Sequence, residues 1–387
     1  MPAQDTEVAI IGGGVVGCAV AHALARRGVS SIVLEAETGL ALAASGTNSG
    51  ILHTGFDSAP DHLETRLILR SAALREELAA ELGVEIRRCG ARLSPRGVEE
   101  QAAVARLEAG AVANGVAVSL APDGSLTVPG EAITDPVAFV HALAAAASAT
   151  AVVELGARVC GLAAAPRGVS VELERGGRVA ATAAVNCAGL HGDEIAQLVG
   201  ESPVEIYPRK GEFLVFAPGD GEQLSEILLP VPSAAGKGVL VFPTLDGMIV
   251  AGPTARDRVD KSDWSVEDDA AELILARAAA MHPPLGRADP VAAYAGLRPA
   301  GRGGNYVIAA SSTLPGLIHA AAIRSTGLSA SLGIGEHVAG MLAADGRVEL
   351  GQLRPLAVAP TYASEMPWWE RAARHRGLPR TPPGRPA

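Results

Sequence analysis

The N-terminal part of the chain changes from an apolar strand pattern to a glycine turn and then to a helical pattern. Residues 7–11 (EVAII) form a short apolar run, and the turn GGGVVG follows at once. After the turn, CAVAHALARR has apolar residues at helical spacing and ends before Gly28, a residue type typical of helix C-caps. A second apolar run, SSIVLEA, includes Glu35 near its end. The pattern predicts a β-α-β unit and an α/β fold.

A polar segment and a long amphipathic helix follow this unit. Residues 42–62 contain glycine and small polar residues without clear periodicity, which is typical of a functional loop or one that covers a ligand. The spacing of apolar residues then predicts a helix over 63–82.

The rest of the chain alternates between strand-rich stretches and helices. The pattern predicts further helices over 99–114, 136–147, 266–281 and 327–342. Gly176 and Gly177 lie between two β-rich runs and predict a hairpin turn. The Pro- and Arg-rich tail from Pro367 is predicted to be a loosely packed extension.

Composition limits the class of protein. The chain has 387 residues, of which 48% are hydrophobic and 19% charged, so it is too apolar to be disordered. Its length predicts about two or three domains. The formal net charge of −10 argues against nucleic acid as a main partner, because phosphate binding needs a basic surface.

Cysteine usage and the apolar stretches predict a cytoplasmic protein. The four cysteines are far apart, and we expect buried free thiols with neither disulfides nor a metal site; they are Cys18, Cys89, Cys160 and Cys187. The N-terminus lacks the positive region of a secretory signal. The longest apolar stretch, 139–155, fits a helix followed by a strand better than a membrane span. We therefore expect no integral membrane segment, and peripheral membrane attachment stays open.

A glycine motif lies between the first predicted strand and helix. Gly12, Gly14 and Gly17 form G-x-G-x-x-G, and Glu35 stands 18 residues after Gly17. In this context the first glycine permits a tight turn, the second lets the backbone approach a pyrophosphate, and the third allows close helix packing. An acidic side chain at the end of the second strand accepts ribose hydroxyls. The motif predicts a dinucleotide site.

Longer segments carry a family resemblance that covers roughly residues 5–345. The chain resembles the D-amino-acid-oxidase-type FAD superfamily, and within it is most similar to the glycerol-3-phosphate dehydrogenase and L-2-hydroxyglutarate dehydrogenase branch. The matching segments are SGTNSGILHTGF (45–56), PGEAITDPVAFVHAL (129–143), VVEL and VNCAGLHGDEIA (within 152–196), YPRKGEFLVF (207–216), VLVFPTLDGMIVAGPTARD (239–257), YAGLRP (294–299) and PGLIHAAAIRSTGLSASLGIGEHVAGML (315–342).

The resemblance implies an α/β fold (α+β overall) with a Rossmann-type FAD-binding domain and an inserted antiparallel-sheet substrate domain. The expected division is an FAD-binding domain of 1–85, 148–205 and 292–350, a substrate-binding domain of 86–147 and 206–291, and a C-terminal extension of 351–387. The implied FAD contacts are Gly12, Gly14, Val15, Val16, Gly17, Glu35, Ala36, Ser45, Asn48, Ser49, Gly50, Val159, Ala188, Gly189, Arg324, Ser325, Thr326, Gly327 and Leu328.

Two of these groups have a specific expected role. The backbone of Val159 matches the position that meets the adenine. The loop from Arg324 to Leu328 precedes the last predicted helix, whose N-terminal amides can face an anionic reduced flavin. The family pattern has a glycine where this chain has Ala322.

An anionic substrate needs a cation. Arg298 in GLRP is the first candidate, because a guanidinium binds carboxylate or phosphate through two parallel hydrogen bonds; an inter-strand salt bridge is the alternative. Arg209 and Lys210 form a second basic pair that serves either the substrate or a solvated turn. Tyr207 and Tyr294 are candidates for pocket hydroxyls, although packing is the commoner role of aromatic residues at strand ends.

The reaction also needs a proton acceptor. His53 in NSGILHTG lies in the loop that runs along the flavin in this family, and an imidazole titrates near neutrality. Three roles stay open for it: catalytic base, covalent flavin anchor and loop hydrogen-bonder. His319 is a lower-ranked alternative base, and His22 is expected to be a surface or packing residue.

The sequence therefore predicts an FAD-dependent oxidoreductase that transfers a hydride from a small anionic alcohol, a 2-hydroxy acid or polyol phosphate, to flavin N5. Catalysis is assigned to His53 and Arg298, and substrate binding to Arg298, Arg209, Lys210 and Tyr207. The alternatives are an amino-acid or amine oxidase on the same fold and a non-redox flavin-bearing subunit. The electron acceptor is expected to be oxygen, a quinone or a partner protein.

Overall fold

A computed structural model of the chain describes residues 4–219, 223–232 and 238–375. The helices are α1 Val15–Ala25, α2 Leu63–Leu82, α3 Val98–Ala113, α4 Pro136–Ala147, α5 Gly192–Gln197, α6 Ala270–Met281, α7 Gly327–Ala344 and α8 Trp368–His375. The strands are β1 Gln4–Ile11, β2 Ser31–Leu34, β3 Ile51–Leu52, β4 Ile86–Arg88, β5 Ala91–Leu93, β6 Ser119–Leu120, β7 Leu126–Val128, β8 Ala132–Thr134, β9 Ala151–Glu154, β10 Val159–Ala165, β11 Gly168–Leu173, β12 Arg178–Asn186, β13 Glu205–Phe216, β14 Ile227–Leu229, β15 Leu240–Pro243, β16 Ile249–Gly252, β17 Arg256–Asp257, β18 Ala292–Arg302, β19 Val307–Ala310 and β20 Leu317–Ala321.

The first large sheet combines three stretches that are far apart in sequence. Within the described residues it has eight strands, with the path β10-β11-β12-β1-β2-β9 and with β20 beside β12. β1 is parallel to both β2 and β12. The sheet therefore contains chain from 4–34, 151–186 and 307–321.

Helices α1 and α7 cover one face of this sheet at close range. A Cβ added to Gly335 of α7 would lie 2.4 Å from the carbonyl oxygen of Ala19 in α1. The absence of a side chain at Gly335 therefore lets the two helices approach each other. Apolar side chains of both helices, including Leu24 and Val338, share a buried cluster with Ile10 of β1. This packing fixes the N-terminus of α1 at the carboxyl ends of the parallel strands.

The second large sheet has nine strands within the described residues. Its longest pairing is antiparallel, between β13 and β18, and runs from Glu205 with Arg302 to Val215 with Ala292. Helix α6 packs on the sheet through Ile274, which shares a buried cluster with Leu214. The fold is thus the predicted α/β class, with a parallel core in one sheet and antiparallel pairing in the other.

The structure joins some elements that the predicted domain division separates. β18 (Ala292–Arg302) belongs to the second sheet, although 292–350 was assigned to the FAD-binding domain. Helix α4 was assigned to the substrate-binding domain and packs against α1. The reason in both cases is a long-range pairing that local periodicity does not contain. The division itself stays a prediction.

Local predictions were close for most helices. The predicted bounds of α2 and α4 agree with the structure, and Gly176 and Gly177 lie in the turn between β11 and β12. Helix α6 begins at Ala270, four residues later than predicted. The cause is a tertiary contact: the backbone N–H of Glu267 donates to the buried carboxylate of Glu212 at 2.7 Å, which holds the preceding residues in a loop.

The C-terminal segment corrects the expectation of a loosely packed tail. Trp368 at the start of α8 is 5% exposed and packs edge-on against the ring of Tyr294, with the ring centroids 5.6 Å apart. Trp369 donates its indole N–H to Asp246 at 2.9 Å. Burial of a tryptophan against the second sheet therefore anchors this segment. Residues 376–387 lie outside the described residues.

The cysteines are free, but only two of the four are buried as predicted. Cys18 and Cys187 are buried, Cys89 is half-buried and Cys160 is exposed. Burial raises the pKa of the Cys18 thiol to about 12, with the nearby carboxylate of Glu35 acting in the same direction. Cys160 points away from the core because alternate residues of β10 face opposite sides of the sheet.

Candidate active site

A single large cavity extends from the carboxyl ends of β1, β2 and β12 to the concave face formed by β13 and β18. Its volume is about 1090 Å³, and it is lined by residues as far apart as Glu35 and Arg298. Ligand pockets typically measure about 300–1,000 Å³, so this one has the size of a site for a large ligand. Ligands of open α/β sheets bind outside the carboxyl ends of the strands, which is where the cavity begins.

Two glycines allow the tight turn between β1 and α1. This turn lies at the end of the cavity near Glu35, where the sequence predicts the dinucleotide, and we call this end of the cavity the nucleotide end. Gly12 has a φ of +109°, and a Cβ there would lie 2.5 Å from the carbonyl oxygen of Cys187. A Cβ on Gly17 would lie 2.0 Å from the carbonyl oxygen of Gly12. Gly17 does not line the cavity; it lets α1 pack against the end of β1. The two glycines therefore place the first turn of α1 beside the cavity.

The first turn of α1 offers backbone donors to an anion. The N–H of Val15 donates to Ser45 Oγ at 2.9 Å. The N–H groups of Gly14 and Val16 form no hydrogen bond within the described residues, and both residues line the cavity. Free amides at a helix N-terminus bind phosphate groups. A Cβ on Gly14 would lie 3.0 Å from Ser45 Oγ and would occupy part of the space in front of these amides.

Glu35 lies where a ribose is expected. Its Oε2 accepts a hydrogen bond from the N–H of Gly13 at 2.6 Å, and its Oε1 accepts one from the N–H of Glu37 at 2.8 Å. These bonds fix the carboxylate, and further lone pairs stay available for ribose hydroxyls. Ala36 and Val159 line the same end of the cavity. This arrangement fits the adenosine half of the FAD that the resemblance implies.

The strand end of β12 and a loop near α4 supply further lining residues. Ala188 and Gly189 line the cavity directly after β12, as do Asn48 and Ser49 of the polar loop. Gly50 does not. It is buried with a φ of +76°, and a Cβ there would lie 2.4 Å from the carbonyl oxygen of Thr134. The prediction that Gly50 touches the cofactor is thus corrected: its role is to let two backbone segments meet.

The loop before α7 lines the opposite wall. All five predicted residues of this loop, from Arg324 to Leu328, line the cavity. The hydroxyl of Thr326 donates to Glu64 at 2.6 Å and is within 2.8 Å of the Tyr306 hydroxyl, so the start of α7 is held in place. Ala322 has a φ of +53°, a conformation that favours the glycine of the family pattern.

Arg298 is a half-buried cation that faces the cavity. Its Nε donates to the carbonyl of Arg209 at 3.1 Å, and its Nη2 donates to the carbonyl of Thr254 at 2.9 Å. It forms no ion pair within the described part of the chain. Gly211 makes room for it, because a Cβ there would lie 3.0 Å from Nη2. Burial, together with the positive charges of Arg209 and Arg324, lowers the pKa of Arg298 to about 10, against an opposing effect of Asp257. The group still carries its charge at neutral pH.

The neighbouring basic pair divides between two faces of β13. Arg209 lines the cavity, but its guanidinium is paired with Asp257 at 2.7 Å. Lys210 is 0% exposed, and its Nζ donates to Asp263 at 2.7 Å and to the Ser265 carbonyl at 3.0 Å. Lys210 therefore does not reach the substrate side, because successive strand residues point to opposite faces.

Tyr207 also lies outside the cavity lining, and the guanidinium of Arg302 stacks over its ring at 4.6 Å. Its predicted substrate role is replaced by a cation–π contact. The ring of Tyr294 is buried between Phe213 and Trp368 rather than in the lining. Phe213, which lines the cavity, separates Tyr294 from it.

The predicted proton acceptor His53 lines the cavity, as do Asp57 and His62 of the same polar loop. Its side chain is 21% exposed, and its Nδ1 lies 2.8 Å from Oε2 of Glu131, a carboxylate with 0% exposure. The hydroxyl and the backbone N–H of Thr54 both donate to Oε1 of Glu131, at 2.8 and 2.7 Å. Sequence reasoning missed Glu131. Its only signal was that PGEAITDP lies in a segment with family resemblance.

The two other histidines that the sequence analysis named are buried and do not line the cavity. His319 is buried, with Nδ1 3.0 Å from Asn186 and Nε2 2.7 Å from Glu201, and does not line the cavity. His22 is buried in α1 beside Glu81 at 3.2 Å, which agrees with a packing role. Burial alone would raise the pKa of the Glu201 carboxyl. Hydrogen bonds from nearby serines and from His319 outweigh this effect and lower the pKa to about 2.

A charged loop that the sequence analysis did not single out closes one side of the cavity. Lys261 and Trp264 line it. Lys261 Nζ donates to Asp193 at 2.7 Å, which connects the loop to α5. The buried Lys210 of β13 donates to Asp263 of the same loop. The density of charge in RVDKSDWSVEDD was the available signal, but the pairing partners are far away in sequence.

Among residues 4–219, 223–232 and 238–375, no helix is both long and apolar enough to cross a membrane. The same residues contain no group of three or more histidine, cysteine or acidic side chains arranged to hold a metal ion.

Comparison with known proteins agrees with this geometry. The DAO family model, described as FAD dependent oxidoreductase, matches residues 7–341. Glycerol 3-phosphate dehydrogenase of Caloramator mitchellensis is 29% identical over 355 residues, covering 87% of this chain and 73% of the relative. L-2-hydroxyglutarate dehydrogenase of Escherichia coli is 26% identical over 283 residues, covering 67% of each protein. The dithionite-reduced L-alpha-glycerophosphate oxidase of Mycoplasma pneumoniae with FAD bound superposes with a TM-score of 0.81 at 25% identity, covering 92% of this chain and 97% of that one.

Proposed function

The chain belongs to the DAO family of FAD-dependent oxidoreductases, and from that premise we propose that it oxidises a small anionic alcohol. The substrate class is a polyol phosphate or a 2-hydroxy acid. Relatives named for glycerol 3-phosphate and for L-2-hydroxyglutarate support this class. Both molecules carry a secondary hydroxyl within a few bonds of an anionic group, so one site geometry suits either.

The observation that carries the proposal is the environment of Arg298. Backbone carbonyls hold its guanidinium, and within the described residues no carboxylate forms an ion pair with it; the nearest acidic influence, Asp257, is paired with Arg209. A half-buried cation without an ion-pair partner favours an anionic ligand. Arg324 adds positive potential to the same cavity, whereas Arg209 is already paired with Asp257. We therefore assign anion binding first to Arg298.

We assign the proton to His53. The oxidation of an alcohol to a ketone releases one proton from oxygen, and an imidazole within hydrogen-bond reach is a suitable acceptor. His53 Nδ1 is engaged by Glu131, which leaves Nε2 for the substrate hydroxyl. Arg298 holds the anionic end, so the hydroxyl can be directed at His53. When bound, FAD supplies the two-electron acceptor for the hydrogen on carbon.

The residues at the other end of the cavity are assigned to FAD binding. The free amides of Gly14 and Val16 suit its pyrophosphate, and Glu35 suits its ribose. The N-terminus of α7 provides a partial positive charge where a reduced flavin carries negative charge. These assignments use the chain's own groups and agree with the family's cofactor.

The test is an anaerobic reduction of the FAD-loaded protein, followed by visible absorbance. Glycerol 3-phosphate, 2-hydroxyglutarate and a set of amino acids are compared, with uncharged glycerol as the matched control. We expect one of the two anionic alcohols to bleach the flavin, and glycerol to react at least about 100-fold more slowly, because an unfilled polar site rejects the smaller ligand. Bleaching by amino acids alone would replace the proposal by the amino-acid oxidase alternative. Equal bleaching by glycerol would remove the role of Arg298.

The same preparation identifies the electron acceptor. We propose oxygen, a quinone or a partner protein as the acceptor class. Reduced enzyme is mixed with air-saturated buffer or with a soluble quinone. Reoxidation by oxygen at the rate of turnover identifies an oxidase. Slow reoxidation in air together with fast reoxidation by the quinone identifies a dehydrogenase.

A further inference from the structure

We propose that Glu131 is a positioning residue for the reaction, holding the His53 imidazole so that its unprotonated Nε2 faces the substrate. The inference rests on the proposed function, in which His53 accepts the hydroxyl proton. It concerns which of the two ring nitrogens carries hydrogen before the reaction. A neutral imidazole has two tautomers, and only the one with hydrogen on Nδ1 presents a lone pair at Nε2.

The hydrogen bonds around Glu131 select that tautomer. Oε1 of Glu131 accepts two hydrogen bonds from Thr54, and Oε2 lies 2.8 Å from Nδ1 of His53. An ionised carboxylate only accepts hydrogen bonds, so Nδ1 must donate. Gly130 allows the close approach, because a Cβ there would lie 2.9 Å from the methyl carbon of Thr54. The contact therefore belongs to the built structure of this turn.

Charges from several elements face the pair. Arg75 of α2 is buried, donates to the backbone carbonyl of His53 at 2.8 Å and interacts electrostatically with Glu131. Burial lowers the pKa of Arg75 to about 10, so it remains a cation. Arg88 of β4 adds a second positive charge close to Arg75, and the Cys89 thiol lies near Glu131. Of these two cations, Arg75 compensates the buried carboxylate of Glu131, whereas Arg88 is paired with Glu76.

The backbone of His53 is fixed independently of its ring. Its N–H donates to Ser329 Oγ in the first turn of α7 at 2.9 Å, and its carbonyl accepts from Arg75. With the backbone held at both ends, the remaining freedom is rotation of the imidazole and the choice of tautomer. Glu131 restricts both. When Nε2 takes the hydroxyl proton, the resulting imidazolium already has its counter-ion at Nδ1.

Glutamine at position 131 makes a sharp test because it is nearly the same shape. Thr54 presents two donors to Oε1, so the amide oxygen of Glu131→Gln is expected to stay with Thr54. The amide NH₂ then faces Nδ1 and turns it into an acceptor. The hydrogen moves to Nε2, which faces the cavity without a lone pair. The variant should therefore hold the wrong tautomer.

We expect Glu131→Gln to slow flavin reduction by the substrate by about 100-fold, the usual scale of general-base catalysis, with little change in KM and in the flavin spectrum. Glu201→Gln is the matched control: Glu201 pairs with Nε2 of His319 at 2.7 Å, and neither residue lines the cavity, so the rate should change by less than about threefold. In a His53→Gln background, Glu131→Gln should cost nothing further, because the group through which it acts is gone. A full additional loss in that background would overturn the proposal.

A second readout does not depend on turnover. ¹⁵N-labelled histidine spectra of the holoenzyme report which ring nitrogen carries hydrogen, and the His53→Gln spectrum identifies the signal. Hydrogen on Nδ1 in the wild type and on Nε2 in Glu131→Gln supports the proposal. Hydrogen on Nε2 in the wild type overturns it without any variant at position 131. If no anionic alcohol bleaches the flavin while the tautomers are as expected, the proposed substrate class fails and the positioning by Glu131 stands.

Discussion

The two ends of the cavity are built from different materials. At the nucleotide end the ligand-facing groups include the free backbone amides of Gly14 and Val16, which lie within one helical turn, together with the carboxylate of Glu35. At the substrate end they are charged side chains from distant segments. Arg298 is held by carbonyls of residues 209 and 254, and His53 by a carboxylate 78 residues away.

The difference determines what a residue type means at each end. At the nucleotide end, the spacing of the glycines predicts the tight turn, because the conformation of that turn depends on local sequence. At the substrate end a cation serves a ligand only if no acid has already neutralised it. Arg209 and Lys210 are neighbours in β13, yet one is paired with Asp257 beside the cavity and the other is buried on the opposite face. Pairing therefore matters more there than position in a motif.

The largest effect is expected from a side chain on the backbone-built end. Gly14→Val should leave the protein folded and without flavin, because even the first carbon would lie 3.0 Å from Ser45 Oγ and the rest would occupy the phosphate space. We expect bound flavin, measured as the visible to ultraviolet absorbance ratio after purification, to fall by at least roughly tenfold. Gly340→Val is the matched control, since a Cβ at Gly340 meets nothing within 4 Å. A yellow Gly14→Val protein would contradict this account of the nucleotide end.

The next effect concerns the unpaired cation. Arg298→Ala should keep flavin bound and lower kcat/KM roughly 30- to 5,000-fold, because the substrate anion loses its buried partner. This corresponds to a loss of about 2–5 kcal/mol in the binding free energy of the transition state. Arg302→Ala on the same strand is the control: Arg302 is exposed and paired with Glu205, and we expect less than about a threefold change. Steady-state kinetics with the substrate found in the bleaching screen provide the comparison. Equal losses in the two variants would show that Arg298 has no special role.

A paired cation should instead control stability. Asp263→Asn combined with Glu267→Gln leaves the buried ammonium of Lys210 without its acidic partners, and we expect a loss of about 3 kcal/mol in the free energy of unfolding. Asp257→Asn, which frees the half-exposed Arg209, should cost less than about 1 kcal/mol. Urea unfolding curves measure both. A smaller loss in the double variant than in Asp257→Asn would reverse the distinction between the two faces of β13.

The ion pair between Lys210 and Asp263 also predicts that the free energy of unfolding depends on pH. Partial burial raises the pKa of Asp263, but hydrogen bonds from Lys210 and Ser265 outweigh this effect and lower it from 3.8 to about 2. A carboxyl with a lowered pKa in the folded state stabilises the fold above its unfolded pKa, and this contribution is lost as pH falls from about 4 towards 2. We expect the free energy of unfolding of Asp263→Asn to fall less steeply with acidification over that range. Parallel wild-type and variant curves would exclude the contribution.

The smallest effect is expected at Ala322, whose backbone conformation shapes the loop that lines the cavity before α7. Ala322 has a φ of +53°, so Ala322→Gly should raise the free energy of unfolding by about 1 kcal/mol by removing strain. Ala310→Gly, in the exposed part of β19, should instead lower it slightly, because glycine gains unfolded-state entropy without relief of strain. Urea midpoints of the two variants should therefore move in opposite directions. A decrease for Ala322→Gly would mean that the alanine methyl group contributes more by packing than it costs in strain.

The same contrast explains what could be predicted from the sequence. Helix α2 and the turn at Gly176 follow local patterns, and the structure has them at the predicted positions. The sequence also pointed to Arg298 and His53 as cavity-lining groups, and both line the cavity. Their roles remain predictions.

What the sequence did not contain are the partners. The burial of Lys210 depends on Asp263, which is 53 residues away, and the orientation of His53 depends on Glu131. The packing of Trp368 depends on Tyr294, which lies far earlier in the sequence, in β18. Periodicity reports which residues face a core, but not which core or which charge meets them. The corrections at the start of α6, at Trp368 and at Gly50 have such a long-range contact as their cause.

The composition of the first sheet has a consequence for synthesis on the ribosome. β1 and β2 emerge first, but the strand beside them, β12, is completed only at residue 186, and its carboxyl end gains β20 only at residue 321. At a translation rate of about 5–20 residues per second, β1 waits roughly 8–30 s after β2 is complete before β12 is available to pair with it. An unpaired strand edge can pair with other chains during that interval. The yield of the native enzyme is thus set partly during translation, before any flavin is bound.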